Sequence, residues 1–316
     1  MVRPGCTESN LRSACAVKRK IRIVRYVQIT IAERIRESLP GLPRAEKRVA
    51  LVVLRNYPVA GLETVARLAE TAEVSGPTVL RLCARLGFEG FLDFQQALLV
   101  EVADRTASPL EQLHAARLRQ DDAIDRTRAD LIDALDASFA HLDRTTYAAV
   151  VDRIISARRI FTTGGRFTEL PARALAMHLE ILRDGVQHLT PELRVGYLLS
   201  VRRGDVVFVF DVRRYQRSTV EFGREVARKG AQVLLVTDPW LSPLTVDASL
   251  ALSVGVQGPS PFDTQVPAMA LVEALITSVT EALGDKTRSR LAEYDRIWDQ
   301  QRFRYPDADS AIQEDQ

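Results

Sequence analysis

The chain has 316 residues, of which 46% are hydrophobic and 27% charged, and a formal net charge of +2. That length suits two domains that each bury a core, and the composition excludes a fibrous, disulfide-stapled or wholly disordered chain. The longest apolar runs, such as residues 206–210, are strand-sized, and basic residues interrupt 21–26 where a secretory signal would need an apolar stretch. No membrane partner is therefore expected, and the cytoplasm is the expected location. Cys6, Cys15 and Cys83 form neither a disulfide framework nor a metal-ligand pattern, and His114, His141, His178 and His188 are scattered. No metal and no cofactor are expected.

The charge is uneven. Residues 1–105 carry 17 Lys or Arg against 11 Asp or Glu, a net +6, and the remainder carries 26 against 30, a net −4. Residues 1–29 read as a basic, disordered tail. Its cluster Lys18, Arg19, Lys20 and Arg22 suits either a solvated tail or a strand that tracks phosphates.

Residues 30–106 predict an all-helical domain. Ile31, Ile35 and Leu39 recur at helical spacing, Pro43 opens a second helix with Val49, Val52 and Val53 as its stripe, and residues 62–72 form a third. Residues 68–87, LAETAEVSGPTVLRLCARLG, then read as a helix-turn-helix. Leu68, Ala69, Val74, Val79 and Leu82 fall where two helices meeting near a right angle share a core. Ser75 is placed to cap the second helix, and Pro77 sits in its first turn, where a missing amide costs nothing. The helical period puts Thr78, Arg81 and Arg85 on the outer side, with two guanidiniums and no carboxylate, which suits guanine edges and phosphates. Glu73 occupies the turn position where glycine is the comfortable residue. Phe91, Phe94, Leu98 and Val102 continue as a further helix face.

Residues 107–122 are polar and read as a linker. In 123–285 two leading helices, 123–141 and 144–157, precede strand-like runs at 159–163, 206–211, 232–238 and 250–254 that alternate with helical stretches at 170–183, 217–229 and 263–283. That alternation predicts a doubly wound parallel α/β sheet, so the fold class is an all-helical domain followed by an α/β domain. Residues 286–316 read as a helix striped with Leu291, Tyr294, Ile297 and Trp298, ending in an acidic tail.

Ligands of such sheets lie at the carboxyl ends of the strands. The loops there hold Gly164, Gly165, Arg166 and Thr168, then Asp211, Arg213, Arg214, Gln216 and Thr219, then Ser242, with residues 258–263 after the last strand. Glycine lets a backbone approach a ligand closely, and three arginines favour an anion. Pairing of the same arginines with Asp211, Asp238 or a partner subunit's carboxylates is the alternative.

Together the two halves resemble RpiR-type transcriptional regulators, a helix-turn-helix domain joined to a SIS (sugar isomerase) domain. The likeness is carried by residues 74–98, VSGPTVLRLCARLGFEGFLDFQQAL, and extends over about 31–283. It implies a dimer or tetramer that reads a two-part double-stranded DNA operator through Ser75, Gly76, Thr78, Arg81 and Arg85, with half-sites about 34 Å apart. It also implies a phosphosugar effector, but Phe167 stands where family members carry the first serine of the phosphate loop. Asp211, Arg213, Arg214 and Gln216 replace the Ser, Ser, Gly and Thr of the later one. A phosphorylated metabolite held by arginine, a small carboxylate, or no ligand at all each remain open. The alternative function is a sugar-phosphate isomerase, for which Glu169, His178 and Glu192 are the nominees as general base. The hydroxyl cradle is broken, so a regulator and not an enzyme is expected.

Overall fold

A computed structural model describes residues 30–116 and 122–300; the basic cluster at 18–22 and the acidic end of the chain lie outside them. The front half is helical. Helix α1 (Ile31–Ser38) is opened by a reciprocal cap between Thr30 and Glu33, and Pro43 opens α2 (Arg44–Arg55). The predicted helix over 62–72 is two helices, α3 (Val59–Leu62) and α4 (Val65–Thr71). They part because the Thr64 hydroxyl accepts from the Arg67 amide and starts α4 afresh. Helices α5 (Gly76–Arg85) and α6 (Phe91–Thr106) follow. Ile35, Val49, Val53, Leu68, Val79, Leu82, Cys83, Phe94 and Leu98 close one core between them.

Both helices of the helix-turn-helix end the same way. Glu73 and Gly87 are left-handed, with φ of 53° and 86°. Their amides return to Glu70 and Ala84, while the next amides, of Val74 and Phe88, return to Ala69 and Cys83. For Glu73 the left-handed backbone costs about 1 kcal/mol, which those two bonds offset.

The stretch read as a linker contains a helix, α7 (Pro109–Ala116). Ser108 and Glu111 form a capping box, the Ser108 amide donating to Glu111 at 2.7 Å and the Glu111 amide to Ser108 Oγ at 3.3 Å. Ser-x-x-Glu is a helix-start pattern that the polar composition of the stretch obscures.

Helices α8 (Ala123–Ala140) and α9 (Arg144–Ser156) are opened by Asp122 and Asp143, whose carboxylates accept from first-turn amides. Then come β1 (Ile160–Gly164), α10 (Glu169–Leu182), β2 (Val186–His188), α11 (Pro191–Ser200), β3 (Val206–Phe210), α12 (Arg217–Arg228), β4 (Gln232–Thr237), β5 (Leu250–Ser253), α13 (Val266–Leu283) and α14 (Asp285–Gln300). All strand pairs are parallel, in the order β2-β1-β3-β4-β5. The unpredicted β2 is a three-residue edge strand, too short to show a period. Strand β3, VVFVF, is buried on both faces. Phe208, Phe210, Leu175, Leu271 and Leu275 fill the side covered by α9, α10 and α13, and Val207, Val209, Tyr197, Phe222 and Val226 the side covered by α11 and α12.

By length and composition α13 is long and apolar enough to cross a membrane, whereas no such segment was expected. Its face of Ala268, Leu271, Val272, Leu275 and Val279 is spent on the sheet core. Helix α14 is tied down at its start by Arg290, which donates to the carbonyls of Ile181 and Glu180. Along its later turns Tyr294 and Trp298 pair at 5.8 Å, while Leu291 and Ile297 stay exposed.

Candidate functional site

The outer face of α5 differs from its helical-wheel reading in three ways. Thr78 is buried, not presented, its hydroxyl lying between that of Ser75 and the Arg81 guanidinium. Ser75 makes no cap bond to the helix amides; its hydroxyl lies 3.1 Å from Thr78 Oγ1, so two hydroxyls satisfy each other where one was expected to serve the backbone. The face also has a carboxylate after all. Glu46 of α2, buried to 3% exposure, accepts from Arg85 Nε at 2.7 Å, with Arg81 Nε at 3.9 Å. Sequence reasoning within one helix could not see it, since it arrives from 39 residues upstream.

The two arginines are therefore unequal. Arg81 is 60% exposed, held from below by Nη2 on Thr78 Oγ1 at 2.9 Å, and projects its guanidinium outward. Arg85 is pinned on its carboxylate. Beside Arg81 lie exposed Ser75, Pro77, Ala84 and Leu80, with Gly76 half-buried. Leu80, 45% exposed, is the apolar member that polarity-based reading missed, and an apolar side chain there suits a thymine methyl.

In the rear half the chain runs from β1 out to β2 and returns to β3 on the other side of β1, so the switch point lies between β1 and β3. A cleft of about 110 Å³ opens there. Of the predicted ligand set, Gly165, Arg166, Thr168, Asp211, Arg213, Arg214 and Gln216 line it. So do Phe167 and Asp263, and Gln112 of α7 forms part of the wall. Gly164, Thr219 and Ser242 do not line it. A Cβ on Gly164 would lie 2.4 Å from the Thr168 carbonyl, so that glycine serves the tight β1–α10 turn. Thr219 is fully buried, and Ser242 donates to Asp211 at 2.5 Å while capping the turn at 243–246.

Of the four left-handed non-glycine residues among the described residues, three, Arg166, Arg214 and Leu241, stand in the strand-end loops. Strain of this kind gathers where a loop must present side chains. Arg166 and Arg214 are exposed at the lips of the cleft and make no ion pair among the described residues. Arg213 is buried and already engaged. Its Nε donates to Asp263 at 2.6 Å, Nη2 pairs with the same carboxylate, and Nη1 donates to the Asp104 carbonyl in the last turn of α6 at 2.7 Å. Its guanidinium pairs with neither Asp211 nor Asp238, the expected alternatives; Asp238 accepts instead from the Arg213 backbone amide.

Beneath the cleft lies a residue the sequence did not single out. Arg194 of α11 is 6% exposed and donates to Thr163 Oγ1 at 3.0 Å, Thr219 Oγ1 at 3.2 Å and the Gly164 carbonyl at 2.5 Å. It ties the β1 loop to the start of α12, and burial lowers its pKa. The proposed general bases lie elsewhere: His178 is exposed and bonded to its own helix, Glu192 is exposed, and Glu169 faces His188 at 3.6 Å. None of the three lines the cleft.

Burial pushes the Asp211 carboxyl up to about 6 and that of Asp238 up to about 7, from the ordinary 3.8. The folded state thus holds protons that the unfolded chain has lost. The stability these groups contribute is complete below about 4 and falls as pH rises through about 6 and 7. Asp238→Asn is expected to flatten that slope, making the variant more stable than the parent above pH 7. Urea midpoints across this range check it, and parallel curves for parent and variant would refute it.

The helix-turn-helix model of the RpiR family matches residues 29–105, and the SIS domain model matches 153–278. The HTH-type transcriptional regulator HexR of Escherichia coli is 24% identical over 284 residues, covering 87% of this chain and 96% of its own. HexR of Pseudomonas aeruginosa is 28% identical over 258 residues, covering 79% and 89%. Among solved structures, Vibrio vulnificus NanR complexed with ManNAc-6P is 21% identical with a TM-score of 0.51, covering 84% of this chain and 97% of that one. The sugar isomerase domain of an RpiR transcription factor from Sphaerobacter thermophilus is 23% identical with a TM-score of 0.53, covering 54% and 97%. Both domains occur in the family's order, and the regulators match nearly end to end, so this chain belongs to the RpiR family of helix-turn-helix transcriptional regulators with a SIS domain.

Proposed function

We propose that this regulator reads its operator through Ser75, Gly76, Leu80 and Arg81, and that its SIS domain takes a small anionic metabolite between Arg166 and Arg214. The carrying observation is that pair of exposed guanidiniums, on strained backbone, across the cleft at the β1–β3 switch point. The side chains of Gln216 and Gln112 supply hydroxyl partners. The NanR neighbour is complexed with ManNAc-6P, which supports a phosphorylated sugar as the class. Charge from arginine replaces the family's hydroxyl cradle. Self-association is part of the same reading, supported by the exposed apolar stripe of Phe167, Leu170 and Met177 beginning at the lip of the cleft. Catalysis is not part of it, because no nominated base faces the cleft.

A thermal-shift screen of the full chain against sugar phosphates and small carboxylates tests the reading. A ligand at a hundred times its Kd stabilises the folded state by about 2.7 kcal/mol, a rise of roughly 5 °C or more. Arg214→Ala is expected to weaken the hit about tenfold. A hit unaffected by both Arg214→Ala and Arg166→Ala, or no hit at all, would count against the cleft.

A further inference from the structure

The loop after β3 faces two ways. One side lines the cleft through Asp211, Arg213, Arg214 and Gln216. The other grips the end of α6, the last helix of the DNA-binding half. Arg213 Nη1 donates to the Asp104 carbonyl at 2.7 Å, one of the terminal carbonyls a helix cannot satisfy internally, and its charge sits at the negative end of that helix. On the next residue, the Arg105 guanidinium lies 5.3 Å over the Tyr215 ring, and Tyr215 is fixed by donating to Asp238 at 2.9 Å. The same Arg213 is oriented by Asp263, from the loop on the far wall of the cleft. A residue at a ligand-loop position is thereby committed to holding the DNA-binding half.

We propose that Arg213 and Tyr215 form a latch on the end of α6, and that an anion in the cleft opens it by drawing the Arg213 guanidinium away from the Asp104 carbonyl. A charged oxygen is the stronger acceptor for a guanidinium, so a neutral carbonyl loses the competition once an anion lies within reach. Helix α7, which begins three residues after α6 ends, brings Gln112 to the cleft wall, so α6 and the cleft are joined through the chain as well. Occupancy changes the freedom of the recognition helices through this junction, and the coupling is reciprocal: operator-bound protein takes the anion with altered affinity. The opening step rests on the anion reading of the cleft; the latch itself does not.

Hydrogen exchange on the full chain separates the two. Without ligand, Arg213→Gln is expected to speed exchange in residues 102–108 about tenfold while leaving residues 68–86 unchanged. Arg105→Ala, outside the cleft lining, is expected to do the same and guards against a folding defect in the first variant. Unchanged exchange in both variants would overturn the latch. Glucose 6-phosphate, with glucose as the neutral control, is then added to the parent protein while its melting midpoint is read in parallel. A raised midpoint with faster exchange at 102–108 supports the opening step. A raised midpoint with unchanged exchange there overturns the opening step and leaves the anion site standing. An unmoved midpoint counts against the phosphosugar reading, and the ligand-free variants still decide the latch.

Discussion

Arg81→Ala and Arg85→Ala are expected to fail differently, although they lie one helical turn apart on the same face. Arg81 is exposed, and losing it should lower operator affinity by about 1–3 kcal/mol with the melting temperature unmoved. Losing Arg85 leaves the buried Glu46 carboxylate with only Arg81, at 3.9 Å. Removing one partner of a fully buried pair costs about 3–5 kcal/mol, and the half-exposed guanidinium brings this down to about 2 kcal/mol. Arg85→Ala should therefore destabilise the front half, and Glu46→Gln combined with it should recover most of the loss. Chemical denaturation of the two single variants and the double variant, beside a DNA titration, checks the contrast. Equal melting temperatures for the two single variants would show that Glu46 does not depend on Arg85.

Arg194→Met is expected to be the more damaging change, by about 3 kcal/mol or more. It removes the donors for Thr163, Thr219 and the Gly164 carbonyl together, in a site closed to water. Arg194→Lys should rescue little, because a single ammonium cannot span three acceptors laid out for a planar fork. The β1 loop and the start of α12 would then drift apart, so effector binding should fall with stability. Urea denaturation reads the first effect, and an unchanged midpoint would mean that water already satisfies these groups.

The fold was legible where a residue's role is decided by its own segment. The stripes of α1, α2 and α6, the apolar positions of the helix-turn-helix and the four longer strands all show their period locally. Strand β2 and helix α11 were missed because three residues carry no period and α11 follows immediately in a weakly patterned stretch. The site was half legible. Strand-end loops could be located from topology, and seven of the ten nominated positions line the cleft. The other three, Gly164, Thr219 and Ser242, are absorbed by internal packing and bonding that only the assembled fold creates. Glu46 and Arg194 escaped notice for the reciprocal reason, and so did the role of Asp263, although its loop was located. Each acts on a residue at least 25 positions away, a distance over which sequence spacing carries no signal.

The most direct measurement is selection of the purified full chain against randomised duplex DNA, followed by titration of the recovered site with and without a phosphorylated sugar. A near-palindromic site of two halves about one or two helical turns apart is expected, bound at least a thousandfold more tightly than bulk DNA, with an affinity that the sugar phosphate shifts. Enrichment of no sequence, or of one that Arg81→Ala binds as tightly as the parent, would contradict it.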